Sequence, residues 1–143
     1  MSGPRIERFS EDYAFLSNFA PVPGGVVYEG VRYSTLEHAF QAAKTTDPAQ
    51  RAMIGTLPTP GQAKRAGRRV SLRPDWEARK LSIMGVLLRQ KFACEPFRGL
   101  LLATASAEIV ESNTWGDRFW GVDGNGENHL GLLLMAIRAE LRK

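Results

Sequence analysis

Prolines at positions 48, 58, 60, 74 and 96 cut the middle of this chain into short lengths, and that punctuation constrains the fold more than any other feature. Proline fixes φ and has no N–H, so a helix running through it loses a bond and collides with its preceding turn. The helix that begins in STLEHAFQAAK therefore ends near Thr45–Asp47, ahead of Pro48. A short helix fits AQRAMIG, after which Pro58 and Pro60 break the chain before GQAKRAGRR. Pro74-Asp75 opens the longest periodic stretch, WEARKLSIMGVLLRQKFAC, which stops before Pro96.

Outside that region the segments are equally short. PVPGGVVYEGVRY (21–33) reads as a β-hairpin, with VVY and VRY on either side of a Glu29-Gly30 turn. Ser34 then takes the N-cap position, and Glu37 three residues later completes an S-x-x-E capping box. FRGLLLATA reads as a compact helix, AEIVES as a strand, and LGLLLMAIRAEL as a last amphipathic helix. Helices dominate, strands are few and local, and no βαβ alternation or internal repeat exists. These features predict an α+β, mostly helical architecture in one domain spanning residues 1–143.

The chain of 143 residues is long enough to bury a core without metals or disulfides. Its net charge of +4 admits an anionic partner without naming one. The lone Cys94 has no partner for an internal disulfide, which points to a reducing compartment. MSGPRIERFSED lacks the apolar centre of a signal peptide, and no apolar run approaches the roughly 20 residues a membrane helix needs. The expectation is a cytoplasmic protein with no membrane segment.

On a helical wheel of about 100° per residue, Leu36, Ala39, Phe40 and Ala43 form an apolar arc facing the core. Glu37, Gln41 and Lys44 line one border of that arc, while His38 and Ala42 fall on the far side. Two readings of the border stand. Glu37 caps the helix and Lys44 reaches water along its stem, or partial burial makes both groups chemically adjustable.

Lys91 poses the same question, since it projects into the arc formed by Trp76, Ile83, Met84, Leu87 and Leu88. Such a lysine reaches water, pairs with a carboxylate, or sits desolvated with a lowered pKa. Trp76 itself fits a core position. In AKRAGRRVSLR, Lys64, Arg65, Arg68, Arg69 and Arg73 cluster without an acidic residue, which suits either a phosphate or a solvated face.

The loop NTWGDRFWGVDGNGENHLG gathers two tryptophans, Asp117, Asp123 and five glycines just before a helix, as a ligand-holding loop does. Its DGNG fails as a calcium loop, because Asn128 and Leu134 stand where Gly and Glu are required. No dinucleotide fingerprint, Walker A sequence or nucleophile elbow is present. His38, His129 and Cys94 lack metal-ligand spacing, so neither metal nor cofactor is expected.

Several segments together resemble the NADAR (YbiA-like) family over nearly the whole chain. They are FLSNFAP (15–21), EHAFQAAK (37–44), LRPDW (72–76), KF (91–92), LLLATASAEIVES (100–112), D-x-x-WG (117–121) and N-x-LG (128–131). The resemblance implies an N-glycosidase that cleaves a ribose C1–N bond. Its substrate is then ADP-ribose on guanine bases of nucleic acid, which the basic segment favours, or an early phosphoribosylated intermediate of riboflavin synthesis. A non-catalytic ADP-ribose or NAD reader is the alternative of a different class, and a link to an ADP-ribosyltransferase toxin stays open.

Carried over by motif position, Glu37 becomes the acid/base or electrostatic group, and Lys44 an amine able to attack C1 of an opened ribose. Lys91 is its rival. Asp117 is assigned to orient water or hold ribose hydroxyls. Trp76 and Trp120 are candidates to stack on the base, Asn18 and Arg73 to bind ribose or phosphate, and Phe19, Gln41, Gly121 and Asn128 to complete the substrate site. One departure is NHLG, where the family usually has arginine in place of His129.

Overall fold

The computed structural model describes residues 4–143. Residues 1–3, part of the expected single-domain span, lie outside the described residues. In chain order the elements are β1 (Arg5–Ile6), a 3-10 turn (Glu11–Leu16), β2 (Pro21–Tyr28), β3 (Val31–Thr35), α1 (Leu36–Ala42), α2 (Pro48–Thr56) and α3 (Pro60–Ala66). They continue with α4 (Trp76–Phe92), α5 (Phe97–Ala103), β4 (Glu108–Ile109) and α6 (His129–Leu141). The expected α+β, mostly helical class is what the chain adopts. It forms two compact units, one of Asn18–Lys91 and one of the segment up to Ser17 with Phe92–Lys143. Among the described residues no helix is long and apolar enough to cross a membrane.

In the central unit β2 and β3 pair as an antiparallel hairpin, with Tyr28 opposite Val31. Its two turn residues, Glu29 and Gly30, both have positive φ, as a two-residue hairpin turn demands. The Gln90 side chain on α4 grips the hairpin edge, accepting from Val27 N–H and donating to Val27 O at 2.9 Å. The prolines act as starters as well as stops. Pro48 opens α2 behind an Asp47 cap, and Pro60 opens α3 behind a Thr59–Gln62 capping box. Helix α1 packs against α2, α3 and both strands.

The capping expectation at α1 fails by one residue. Ser34 lies exposed in β3, and Thr35 is the N-cap, its hydroxyl accepting from His38 N–H at 3.1 Å. Glu37 is thereby released from capping. His38 also departs from its far-side placement, because α1 is enclosed all round and every residue from Leu36 to Ala42 is buried. The histidine is satisfied there by Thr35 Oγ1 at 2.7 Å and Leu57 O at 2.9 Å. Since a carbonyl only accepts, Nε2 carries the proton and Nδ1 accepts from the threonine hydroxyl.

In the other unit β1 and β4 pair in parallel, Ile6 beside Ile109, and α6 packs on β4 and α5. Asn128 joins these parts: its amide accepts from Glu111 N–H at 3.0 Å and donates to Ile109 O at 2.9 Å.

Candidate active site

The polar border of α1 is the most chemically charged part of the central unit. Glu37 is 6 % exposed and Gln41 4 %. The Gln41 amide nitrogen donates to Glu37 Oε1 at 2.9 Å, one helical turn away. Burial pushes the Glu37 carboxyl above its ordinary pKa, while the Gln41 bond and the charges of Lys64 and Lys44 pull it back. Lys44 is half-buried, and burial lowers its pKa against the opposing pull of Glu37. Arg68, Lys64 and Lys80 lower it further by repulsion. The basic run therefore does more than coat a helix face. Lys64 brings positive charge toward both Glu37 and Lys44, and Arg68 toward Lys44, while Arg65, Arg68 and Arg69 are all exposed.

Asn18 adjoins this stripe. Its carbonyl accepts from Glu37 N–H at 3.1 Å. Its side-chain Nδ2 meets only the soft Met84 sulfur at 3.7 Å, and Oδ1 is buried without a donor among the described residues. A buried acceptor in that condition suits a ligand hydroxyl or N–H. Phe19 beside it is 40 % exposed. Lys91 does not reach water: it is 1 % exposed, and burial lowers its pKa to about 7.

Two residues of this unit turn out to have structural employment. The Arg73 fork closes on Asp75 at 2.6 and 3.2 Å and also reaches Tyr28 Oη at 3.3 Å and Ala43 O at 3.4 Å. Its N–H holds Lys44 O at 2.7 Å. Those donors are committed to the protein, so Arg73 secures the end of α1 rather than holding a fork open for phosphate. Trp76 is buried and packs on Phe40 with ring centroids 5.1 Å apart, the core role its periodicity suggested.

Asp117, Trp120, Gly121 and Asn128 belong to the other unit. Asp117 Oδ1 accepts from Phe119 N–H at 3.2 Å and Trp120 N–H at 3.0 Å, so the carboxylate is a turn former that stays half-buried. Asn113 anchors the same turn. Its oxygen accepts from Trp115 and Asp117 N–H, and its nitrogen donates to Asp117 O at 2.8 Å and Glu111 Oε2 at 3.1 Å. Gly121 is needed for space: a Cβ there would run into the Glu111 carboxylate and come 2.9 Å from Asn113 Nδ2. The Asn128 amide bonds backbone on both sides and so positions β4 against α6.

Trp120 packs edge-on to Phe119, and His129 lies 4.4 Å from the Phe119 ring. The histidine of NHLG thus lays its ring against Phe119, with Nε2 3.5 Å from Glu127 Oε1. Sequence reasoning missed Glu111, Lys64 and Lys80 as neighbours of the candidate residues. Glu111 lies inside the quoted AEIVES segment, and Lys64 inside the basic run, but only folding shows what each meets. No three His, Cys, Asp or Glu side chains among the described residues gather as a metal would require.

Comparison with known proteins identifies the family. Residues 6–142 match the family described as NADAR domain. N-glycosidase YbiA of Shigella boydii is 44 % identical over 137 residues, an alignment covering 92 % of this chain and 84 % of that protein. The riboflavin biosynthesis protein VVA0006 of Vibrio vulnificus is 33 % identical, the match covering 93 % of this chain and 37 % of that protein. The NMR structure of the E. coli protein YbiA superposes with a TM-score of 0.82 at 38 % identity, covering 99 % of this chain and 87 % of that one.

Proposed function

This chain belongs to the NADAR family and is a hydrolase of N-glycosyl bonds, and we propose that it cleaves the ribose C1–N bond of a small phosphoribosylated pyrimidine of the kind formed early in riboflavin synthesis. One observation carries the reading. A buried carboxylate, Glu37, stands with Gln41 and Lys44 on one helix border under the positive field of Lys64, and Arg68 acts on Lys44. The name of the Vibrio vulnificus relative supports the substrate class.

The chemistry follows from those groups. As the C1–N bond breaks, its electron pair leaves with nitrogen, and C1 develops positive charge. The Glu37 carboxylate opposes that charge and takes a proton from the water that bonds to C1. The departing nitrogen takes up the proton that Glu37 removed from water, which restores the carboxylate and gives ribose phosphate and the free aminopyrimidine. Lys44, Lys64 and Arg68 supply the cationic field for the phosphate. Asn18 Oδ1 accepts from a ribose hydroxyl, and Lys91, in the same unit, adds a desolvated amine to the substrate site. In the other unit, Asp117 shapes the loop that carries Trp120. The family match runs through both units, and we read the chain as one family domain.

A second reading, removal of ADP-ribose from guanine in nucleic acid, is favoured by the exposed Arg65 and Arg69 in the same basic run, which suit backbone phosphates. Separate incubation with the ribosylamino-pyrimidine phosphate and with guanine-ADP-ribosylated DNA distinguishes the two. Release of aminopyrimidine from the first alone is expected; release of ADP-ribose from the second alone overturns the substrate assignment. Borohydride inactivation during turnover would bring an imine route into play, and Lys44→Ala against Lys91→Ala would show which amine forms it.

A further inference from the structure

Gly67 ends α3 at φ −59°, ψ −20°, ordinary right-handed geometry that any residue adopts. Its backbone gives no reason for glycine, and alanine is the better helix residue there. The reason is volume. A Cβ built on Gly67 would run into the Gln41 amide oxygen, with Gln41 Cδ at 2.7 Å and Cβ at 3.2 Å. Gln41 is buried, and its amide oxygen meets no donor among the described residues. One polar bond fixes that amide, the 2.9 Å donation to Glu37 Oε1, and the missing Gly67 side chain supplies the slot in which it lies.

We propose that Gly67 is a positioning residue for the hydrolysis: its bare Cα seats the Gln41 amide, which in turn orients the Glu37 carboxylate. The proposal rests on Glu37 being the working carboxylate. Moving the amide withdraws a hydrogen bond that favours ionised Glu37, so the acidic limb of the kcat profile then moves to higher pH. Substrate contacts away from Glu37 are untouched, so KM changes little.

A four-cornered cycle of wild type, Gly67→Ala, Gln41→Ala and the double variant tests this, reading kcat, KM, the pH profile and the carbon-13 NMR titration of the Glu37 carboxyl. Gly67→Ala is expected to lower kcat on the order of 10- to 100-fold and raise the acidic limb. Adding it to Gln41→Ala is expected to change nothing further, because the truncated side chain no longer needs the slot. If Gly67→Ala does not fold, the double variant is expected to fold and is compared with Gln41→Ala. Equal kcat losses in both backgrounds, an unmoved acidic limb, or a double variant that fails to fold overturns the proposal. A fully active Glu37→Gln instead overturns the catalytic reading of Glu37. The NMR titration then reports whether the Gly67–Gln41–Glu37 geometry exists without it.

Discussion

Helix α1 and the loop around Asp117 each hold a carboxylate in a set direction, by opposite means. Glu37 is buried and held by one side-chain amide, with Lys64 and Lys44 acting on its charge, so its environment acts on proton affinity. Asp117 is half-buried and held by two backbone N–H groups, so its environment acts on the path of the chain. The difference separates two jobs. Burial prepares a group for acid–base work, whereas an aspartate turn fixes the path of the loop that carries Phe119 and Trp120.

The largest expected effect on folding lies in the loop. Asn113→Ala removes four hydrogen bonds at a buried position, and a loss of about 3 kcal/mol is expected in urea unfolding. A stability equal to wild type would show that the loop is not built by side-chain hydrogen bonding, and the contrast with α1 would break.

Lys91→Met sharpens the other side. Native Lys91 titrates at about 7, while the unfolded chain keeps the ordinary lysine value near 10.4. Between those values the unfolded state binds a proton that the native state does not, so this group makes stability rise with pH. The slope is at most about 1.4 kcal/mol per pH unit. Methionine abolishes that pH-dependent contribution. Glu37, raised by burial, works in the opposite sense as pH climbs through its folded value. Urea midpoints of wild type minus Lys91→Met from pH 6 to 10 therefore isolate the lysine; a constant difference would place its amine in water.

Much of this was legible from particular residues. The wheel placed Glu37, Gln41 and Lys44 on one border, and the periodicity put Lys91 inside an apolar arc, where it is indeed buried. The wheel failed for His38 because it assumes one wet face. Enclosure of α1 by α2, α3 and the hairpin is a tertiary fact. The cap was misplaced by one residue because Ser34 and Thr35 are both good caps, and strand pairing through Thr35 decides between them. Arg73 read as a phosphate ligand only while Asp75, two residues on, was not seen closing on its fork. Of the loop, composition announced that it matters, but Asn113 as its anchor follows from turn geometry that no periodicity encodes.

The most direct test of the central claim is the rate of ribosylamino-pyrimidine phosphate hydrolysis by Glu37→Gln, measured beside its thermal melting. Glutamine keeps the shape and can still accept from Gln41, and removing a buried carboxylate relieves a desolvation cost. The account predicts a melting temperature equal to or above wild type, with kcat lower by roughly 100- to 10,000-fold. A folded Glu37→Gln that releases aminopyrimidine at the wild-type rate would contradict it.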